Sequence, residues 1–340
     1  MEDIDYETQL DSQDVKLEEP AKDVFIAPSI DENAIFSGAS YTHHSPIPDA
    51  IANDISAPCV LGVDEAGRGP VLGPMVYGVL YLPLPQHESI LKTKYHFMDS
   101  KVLTPATRSS LMESLCTKDN DLYSNCGWAT RVISARDISS GMLQPAGRGT
   151  YNLNAQAMDA TIDLIKETFA RGVNIQEIYI DTIGSPKVYQ TKLERIFPTT
   201  KITVAKKADS LYPCVSAASV VAKTTRDAAL KVCYKSYAGV DGQVAEGWGS
   251  GYPSDGKCTS WLRENMDPVF GWGSECRFSW GTAKDMLEAK GKGVKIDWPE
   301  EEDAEGMKVT DFFSASGQDG QEEGSELANW FGRPAPEAVF

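Results

Sequence analysis

Three aspartates stand where strand-like runs end. Asp64 follows the apolar run Val60-Leu61-Gly62-Val63, and Asp181 follows Ile178-Tyr179-Ile180. Asp209 comes after the strand-like stretch 201–205 and opens the next helical region. Acids on loops above a rigid sheet are well placed to converge on one site. Carboxylates held close together repel one another and stay ionised together only by sharing a cation. Hard oxygen donors without imidazole or thiolate select magnesium or manganese. Two such ions a few ångströms apart suit in-line displacement at phosphorus, one activating water and the other stabilising the leaving oxygen. Aspartates in loops are also common turn formers and helix caps, and spacing alone leaves both readings open.

Other chemistries are poorly supplied. The four histidines are His43, His44, His87 and His96, so residues 97–296 must work without imidazole. A Ser-His-Asp triad or a histidine-ligated zinc would have to borrow His87 or His96, whose Pro-, Lys- and Ser-rich surroundings read as loop. The seven cysteines form no Cys-x-x-Cys pair. Their odd number suits free thiols in a reducing compartment and removes a cysteine zinc site. The segment Gly67-Arg68-Gly69-Pro70 is not a dinucleotide fingerprint, because Leu72 stands where the last glycine would be, and the chain has no phosphate-binding P-loop. Two glycines leave the backbone bare for close approach of a ligand, with Arg68 adding charge, although an ordinary tight turn explains them too.

The elements that would carry these residues alternate in type. Cys59 to Val63, Met75 to Leu82, Trp128 to Ile133, Ile175 to Ile180 and Lys201 to Ala205 read as strands. Between Asn152 and Arg171, Met158, Ile162, Ile165 and Phe169 recur at three- and four-residue spacings, predicting an amphipathic helix closed by Gly172. Ser216 to Tyr237 reads as a second long helix. Strands interleaved with helices predict an α/β or mixed-sheet architecture.

A resemblance sharpens this reading. The stretch Leu61-Gly62-Val63-Asp64-Glu65-Ala66-Gly67-Arg68-Gly69-Pro70-Val71-Leu72-Gly73-Pro74 resembles the signature of type 2 ribonuclease H, the ribonuclease HII family. Further matches follow in family order across 59–297. They include Asp99-Ser100-Lys101, Tyr151-Asn152-Leu153-Asn154, Asp181-Thr182 and Lys206-Lys207-Ala208-Asp209-Ser210-Leu211-Tyr212-Pro213. Val215-Ser216-Ala217-Ala218-Ser219 through Ala222-Lys223, Gly249-Ser250-Gly251-Tyr252-Pro253 and Arg277-Phe278-Ser279-Trp280 complete the series. The last two are more similar to the eukaryotic catalytic A subunits than to the bacterial monomers. The resemblance implies a ribonuclease H-like fold, a mixed five-stranded sheet flanked by helices with a helical C-terminal extension. It implies that Asp64, Glu65, Asp181 and Asp209 bind two divalent ions, Mg2+ or Mn2+, and are catalytic. It implies that Gly67, Arg68 and Gly69 touch ribose 2′-hydroxyls through the backbone and that Tyr252 stacks at the RNA–DNA junction. Lys101 and Lys223 match family lysines that could contact phosphates or be solvated or strand-pairing lysines. The implied activity is endonucleolytic cutting of RNA in RNA/DNA hybrids, or beside a ribonucleotide in duplex DNA, together with two accessory subunits in a heterotrimer.

The net charge of −17 looks wrong for a polyanion binder until it is divided. Residues 1–58 carry −11 and residues 297–340 carry −10, leaving +4 over 59–296. A mildly basic body between acidic ends is compatible with such a substrate. Both ends are expected to be disordered tails, and a start at Met1-Glu2-Asp3 lacks a secretory pattern, which together with the free thiols points to nucleus or cytoplasm. Within the last tail, Gly306-Met307-Lys308-Val309-Thr310-Asp311-Phe312-Phe313 resembles the peptide by which replication enzymes dock on a sliding clamp. Val309, Phe312 and Phe313 would share one face of a helical turn, although Gly306 stands where a glutamine is usual.

Overall fold

In a computed structural model, described for residues 25–97, 103–144, 151–182, 184–235 and 247–289, the apolar runs pair into one mixed sheet. Its strands are β1 (Tyr41–His44), β2 (Cys59–Ala66), β3 (Met75–Pro83), β4 (Gly127–Ile133), β5 (Ile175–Asp181) and β6 (Lys201–Ala205), in the order β1-β4-β3-β2-β5-β6. The first four pair antiparallel, while β5 joins β2, and β6 joins β5, in parallel. The helices are α1 (Glu32–Ser37), α2 (Asp49–Ala52), α3 (Pro105–Cys116), α4 (Asp121–Asn125), α5 (Ala135–Met142), α6 (Leu153–Ala170), α7 (Pro186–Ile196), α8 (Ala208–Leu211), α9 (Pro213–Lys235), α10 (Gly256–Glu264) and α11 (Gly281–Glu288). Among the described residues no helix is long and apolar enough to cross a membrane.

Every residue of β3 is buried because helices cover both faces of the sheet. On one side Leu61, Val63, Ile178 and Ile180 pack with Ala157, Ala160, Leu164 and Ile165 of α6. On the other, Val60, Leu80 and Leu82 meet α3 and the Val215–Val221 stretch of α9. Helix α9 comes unusually close. A Cβ at Gly62 would overlap the backbone of Cys214, and one at Gly78 would lie 2.7 Å from the carbonyl of Ala218. Two glycines on neighbouring strands, facing the alanines and serines of α9, therefore set the distance between helix and sheet. A separate smaller core joins Val71, Leu72 and Leu230 to Trp248, Trp261, Leu262, Trp272 and Leu287, forming the expected helical extension through α10 and α11.

Two expectations need correction. The sheet has six strands rather than five, and the sixth, β1, comes from the region 1–58 that composition marks as disordered. From residue 25 onward that region is built into the fold: Ala27 and Ile51 are buried, and β1 pairs with β4. Its acids dilute a sparse set of apolar anchors, so averaging over the whole segment hides them. The spacing on α6 is also offset. Ile165 is buried, but Met158, Ile162 and Phe169 lie at the rim of the core, and the inward face is Ala157, Ala160, Thr161, Leu164 and Thr168. Small residues let the helix approach the sheet, and the larger ones seal its flanks.

His87, expected in a loop, lies in a helical segment (His87–Lys94) and accepts a hydrogen bond at Nε2 from the Cys214 amide, 3.2 Å away. It stacks on Tyr179, which in turn packs against Tyr212. The imidazole thus serves as an acceptor at the start of α9, and burial lowers its pKa below 6.5. A group neutral in the fold contributes stability that is full above its unfolded pKa and is lost as pH falls below it. Thermal melts should show wild type losing stability relative to His87→Gln as pH falls from about 6.5 to 5. A melting-temperature difference that stays flat over that range would contradict the neutral-acceptor role.

Candidate active site

Strands β2 and β5 are parallel, with Val63 opposite Ile180, so Asp64 and Asp181 sit side by side at their carboxyl ends. Rather than following the strands, Asp64 and Glu65 lie within β2, and Asp181 is the last residue of β5. The carboxyl ends of parallel strands are where open α/β sheets present ligands. Asp64 pairs across to Gly78, so the neighbouring strand offers no side chain there. It is 6% exposed and accepts the Glu65 amide at 2.8 Å.

Asp181 is fixed from two sides. Its Oδ1 accepts from the amides of Thr182 (2.9 Å) and Ala208 (3.0 Å). The second bond fastens the start of α8 to β5, and Asp209 is the next residue of that helix. Lys207 must adopt a left-handed φ of 57° to make this corner, and Asp209 is 5% exposed. Glu65 has the opposite parity on β2, pairing with Tyr77, yet its charge reaches Asp64. The structure thus brings all four predicted acids to one end of the sheet.

Burial, then the charges of Glu65 and Asp181, push the Asp64 carboxyl well above the usual carboxylate range. The Ser219 hydroxyl and Lys223 pull in the opposite direction. One lysine and one hydroxyl against a group of acids leave a deficit of positive charge, which a divalent cation would fill. Every donor is a carboxylate, and His43 and His44 lie on β1 at the far edge of the sheet. An all-oxygen set fits Mg2+ or Mn2+. Among the described residues no three such side chains close into a ready cage.

The Gly-Arg-Gly turn sits just beyond β2. Gly67 has a φ of 75°, and a Cβ there would lie 2.8 Å from the carbonyl of Pro74, so the position requires glycine. Arg68 donates to Asn154 near the start of α6. Beneath the turn, Val71 and Leu72 donate to the carbonyl of Gly251, at 2.9 and 3.2 Å. That ties the turn to the loop carrying Tyr252, which Asp255 closes by accepting from the amide and hydroxyl of Ser250. The ring of Tyr252 lies 5.8 Å from the Arg226 guanidinium. Lys223 falls beside the carboxylates through its effect on Asp64, while Lys101 lies outside the described residues.

Four contributing residues have no role assigned from sequence: Ser219, Arg226, Arg277 and Trp280. Arg277 is fully buried, and burial followed by the nearby charge of Arg226 lowers its pKa to about 9, leaving it charged at neutral pH. The matched run Arg277-Phe278-Ser279-Trp280 singles it out in the sequence but does not indicate its partners.

This mixed sheet covered on both faces is similar to those of solved type 2 ribonucleases H, which makes it a ribonuclease H-like fold. The ribonuclease HII family profile matches residues 61–283. The chain is 62% identical to the A subunit of ribonuclease H2 from Neurospora crassa over 316 residues, covering 93% of this chain and 97% of that protein. Among solved structures it is similar to the ribonuclease H2 of Pyrococcus horikoshii OT3, at 27% identity and a TM-score of 0.51, over 67% of this chain and 96% of that one. It is also similar to the ribonuclease HII of Archaeoglobus fulgidus solved in complex with PCNA, at 25% identity and a TM-score of 0.52, over 65% and 94% of the two chains. The chain belongs to the ribonuclease HII family, and it is a ribonuclease of the H class.

Proposed function

We propose that this chain is the catalytic subunit that cuts the RNA strand of RNA/DNA hybrids and cuts duplex DNA on the 5′ side of an embedded ribonucleotide, leaving 5′-phosphate and 3′-hydroxyl ends. The observation that carries this reading is a four-carboxylate end of the sheet next to a backbone-bared Gly-Arg-Gly turn. A ribonucleotide in DNA differs from its neighbours only by its 2′-hydroxyl, and a bare backbone is suited to touch it. Asp64, Glu65, Asp181 and Asp209 would hold two divalent ions, Mg2+ or Mn2+, which supply an activated water and neutralise the leaving oxygen. Lys223 balances part of the acid charge next to Asp64, and Asp181 keeps α8 and Asp209 in place. Tyr252, on a loop tied to the turn, would pack its ring on the sugar or base at the junction.

With carboxylates rather than imidazole as the candidate donors, attack by water is favoured over attack by the 2′-hydroxyl itself. Product analysis separates the two. A 3′ fragment that a ligase accepts directly carries a 5′-phosphate and fits the proposal, whereas a 2′,3′-cyclic phosphate on the other fragment would contradict it. For Tyr252, replacement by Phe should cost less activity than replacement by Ala, because stacking on a base or sugar is worth about 1–3 kcal/mol and the ring survives in Phe. Equal, near-wild-type rates for both variants on a single-ribonucleotide duplex would remove the stacking role.

Because the Neurospora crassa relative is by name one lettered component of its enzyme, we also propose assembly with two accessory subunits and work in the nucleus, removing RNA primers and excising ribonucleotides during replication and repair. The archaeal relative solved with PCNA supports a clamp-docking role for Val309, Phe312 and Phe313, which lie outside the described residues. Calorimetry of a 303–316 peptide against a sliding clamp should show binding that Phe312→Ala/Phe313→Ala abolishes. Identical heats from both peptides would end that proposal.

A further inference from the structure

Three consecutive carbonyls of the Gly-Arg-Gly turn are taken up by two side chains from more than 200 positions away. The Arg277 guanidinium donates to the carbonyl of Gly67 through Nη2 (2.6 Å), to that of Arg68 through Nη1 (2.7 Å) and to that of Gly73 through Nε (3.1 Å). Trp280 donates its indole N–H to the carbonyl of Gly69 at 2.9 Å, and its ring lies 4.7 Å from the Arg277 guanidinium. This buried cation thus spends its hydrogen bonds on main-chain carbonyls rather than on a carboxylate. A charged donor makes stronger bonds than a neutral one.

The consequence follows from peptide geometry. In a planar trans peptide the C=O and the following N–H point in opposite directions. With the carbonyls of Gly67 and Arg68 turned toward Arg277, the amides of Arg68 and Gly69 are turned away from it. Neither amide donates to a main-chain carbonyl among the described residues. The third carbonyl, of Gly69, precedes Pro70, which has no N–H to orient. The turn therefore offers two neighbouring N–H donors on the side opposite Arg277, next to the Arg68 side chain.

We infer that Arg277 and Trp280 are positioning residues for ribose discrimination: they hold the Gly67–Gly69 peptides so that the Arg68 and Gly69 amides converge on a 2′-hydroxyl oxygen. This rests on the function proposed above and adds which residues set its selectivity. Arg277 is fully buried, and neither side chain belongs to the carboxylate group. Lysine in place of Arg277 keeps the charge but cannot reach three carbonyls at once. Phenylalanine in place of Trp280 keeps an aromatic ring beside Arg277 and removes the hydrogen bond to Gly69.

The test compares full-length wild type, Arg277→Lys and Trp280→Phe. Fluorescence anisotropy in EDTA measures affinity for a duplex containing one ribonucleotide and for the same duplex made wholly of DNA. Cleavage of the ribonucleotide duplex in magnesium and thermal melting are measured alongside. Losing one or two hydrogen bonds to the sugar should lower the ribo-to-deoxy affinity ratio about tenfold in Arg277→Lys and about threefold in Trp280→Phe. Affinity for the DNA duplex, which rests on phosphate contacts, should stay the same. A wild-type ratio retained in both variants would overturn the inference, as would equal losses on both duplexes that track a lower melting temperature. Wild type that neither distinguishes the duplexes nor cleaves would defeat the proposed function and this inference together. Cleavage by wild type with unchanged variant ratios would defeat this inference alone.

Discussion

Asp64→Asn is expected to reduce cleavage more than about a thousandfold while melting at or above the wild-type temperature in the absence of metal. The two halves of that result have one cause. Asp64 is buried beside Glu65 and Asp181, and burial and those charges raise its pKa. An acid whose folded pKa is raised contributes stability below its unfolded pKa and loses it as pH rises. At neutral pH the carboxyl is therefore a cost that asparagine removes. Magnesium reverses the order. By binding the folded state it should raise the wild-type melting temperature and leave that of Asp64→Asn nearly unchanged. Melting curves with and without magnesium read this independently of turnover. Cleavage within about tenfold of wild type, or an equal magnesium shift in both proteins, would exclude Asp64 as a primary ligand.

Gly62→Ala should be strongly destabilising. Its Cβ would be built into the backbone of Cys214 at the start of α9, where no side chain can rotate away. Overpacking against backbone costs about 3 kcal/mol, equivalent to a fall of about 6–12 °C in melting temperature for a domain of this size. Activity should fall as well, because α9 carries Ser219 and Lys223 to Asp64. Gly256→Ala is the control. A Cβ there meets nothing within 4 Å, and at the first position of α10 alanine should be neutral or slightly stabilising. Equal melting temperatures for the two variants would show that α9 can move off the sheet cheaply and that the glycine contact does not set the site.

These two residues also mark what the sequence makes legible. Asp64 and Asp181 could be located because an apolar run that ends in an acid is a local pattern, and parallel pairing of β2 with β5 then brings the two together. The family motifs supplied Glu65 and marked the Gly-Arg-Gly turn as something other than an ordinary bend. Gly62 lies inside the matched motif as well, but the motif says nothing of what the glycine packs against. Its importance exists only once α9 is packed against it, 152 positions on at Cys214. Arg277 is similar, since its bonds run to Gly67, Arg68 and Gly73 across the whole domain. Strand β1 was hidden for another reason: four half-buried residues, Tyr41-Thr42-His43-His44, lack the alternation that marks a strand, and β4 provides the pairing that orders them.

The central claim is that four acids at the end of this sheet use divalent ions to cut beside a ribose. It is tested most directly by incubating the full-length chain with an end-labelled DNA duplex containing one ribonucleotide, with magnesium or with EDTA, and with the all-DNA duplex as the comparison. A single cut on the 5′ side of the ribonucleotide is expected, present in magnesium, absent in EDTA and absent from the all-DNA duplex. Cutting that persists in EDTA, or that falls on the all-DNA duplex at a comparable rate, would contradict it.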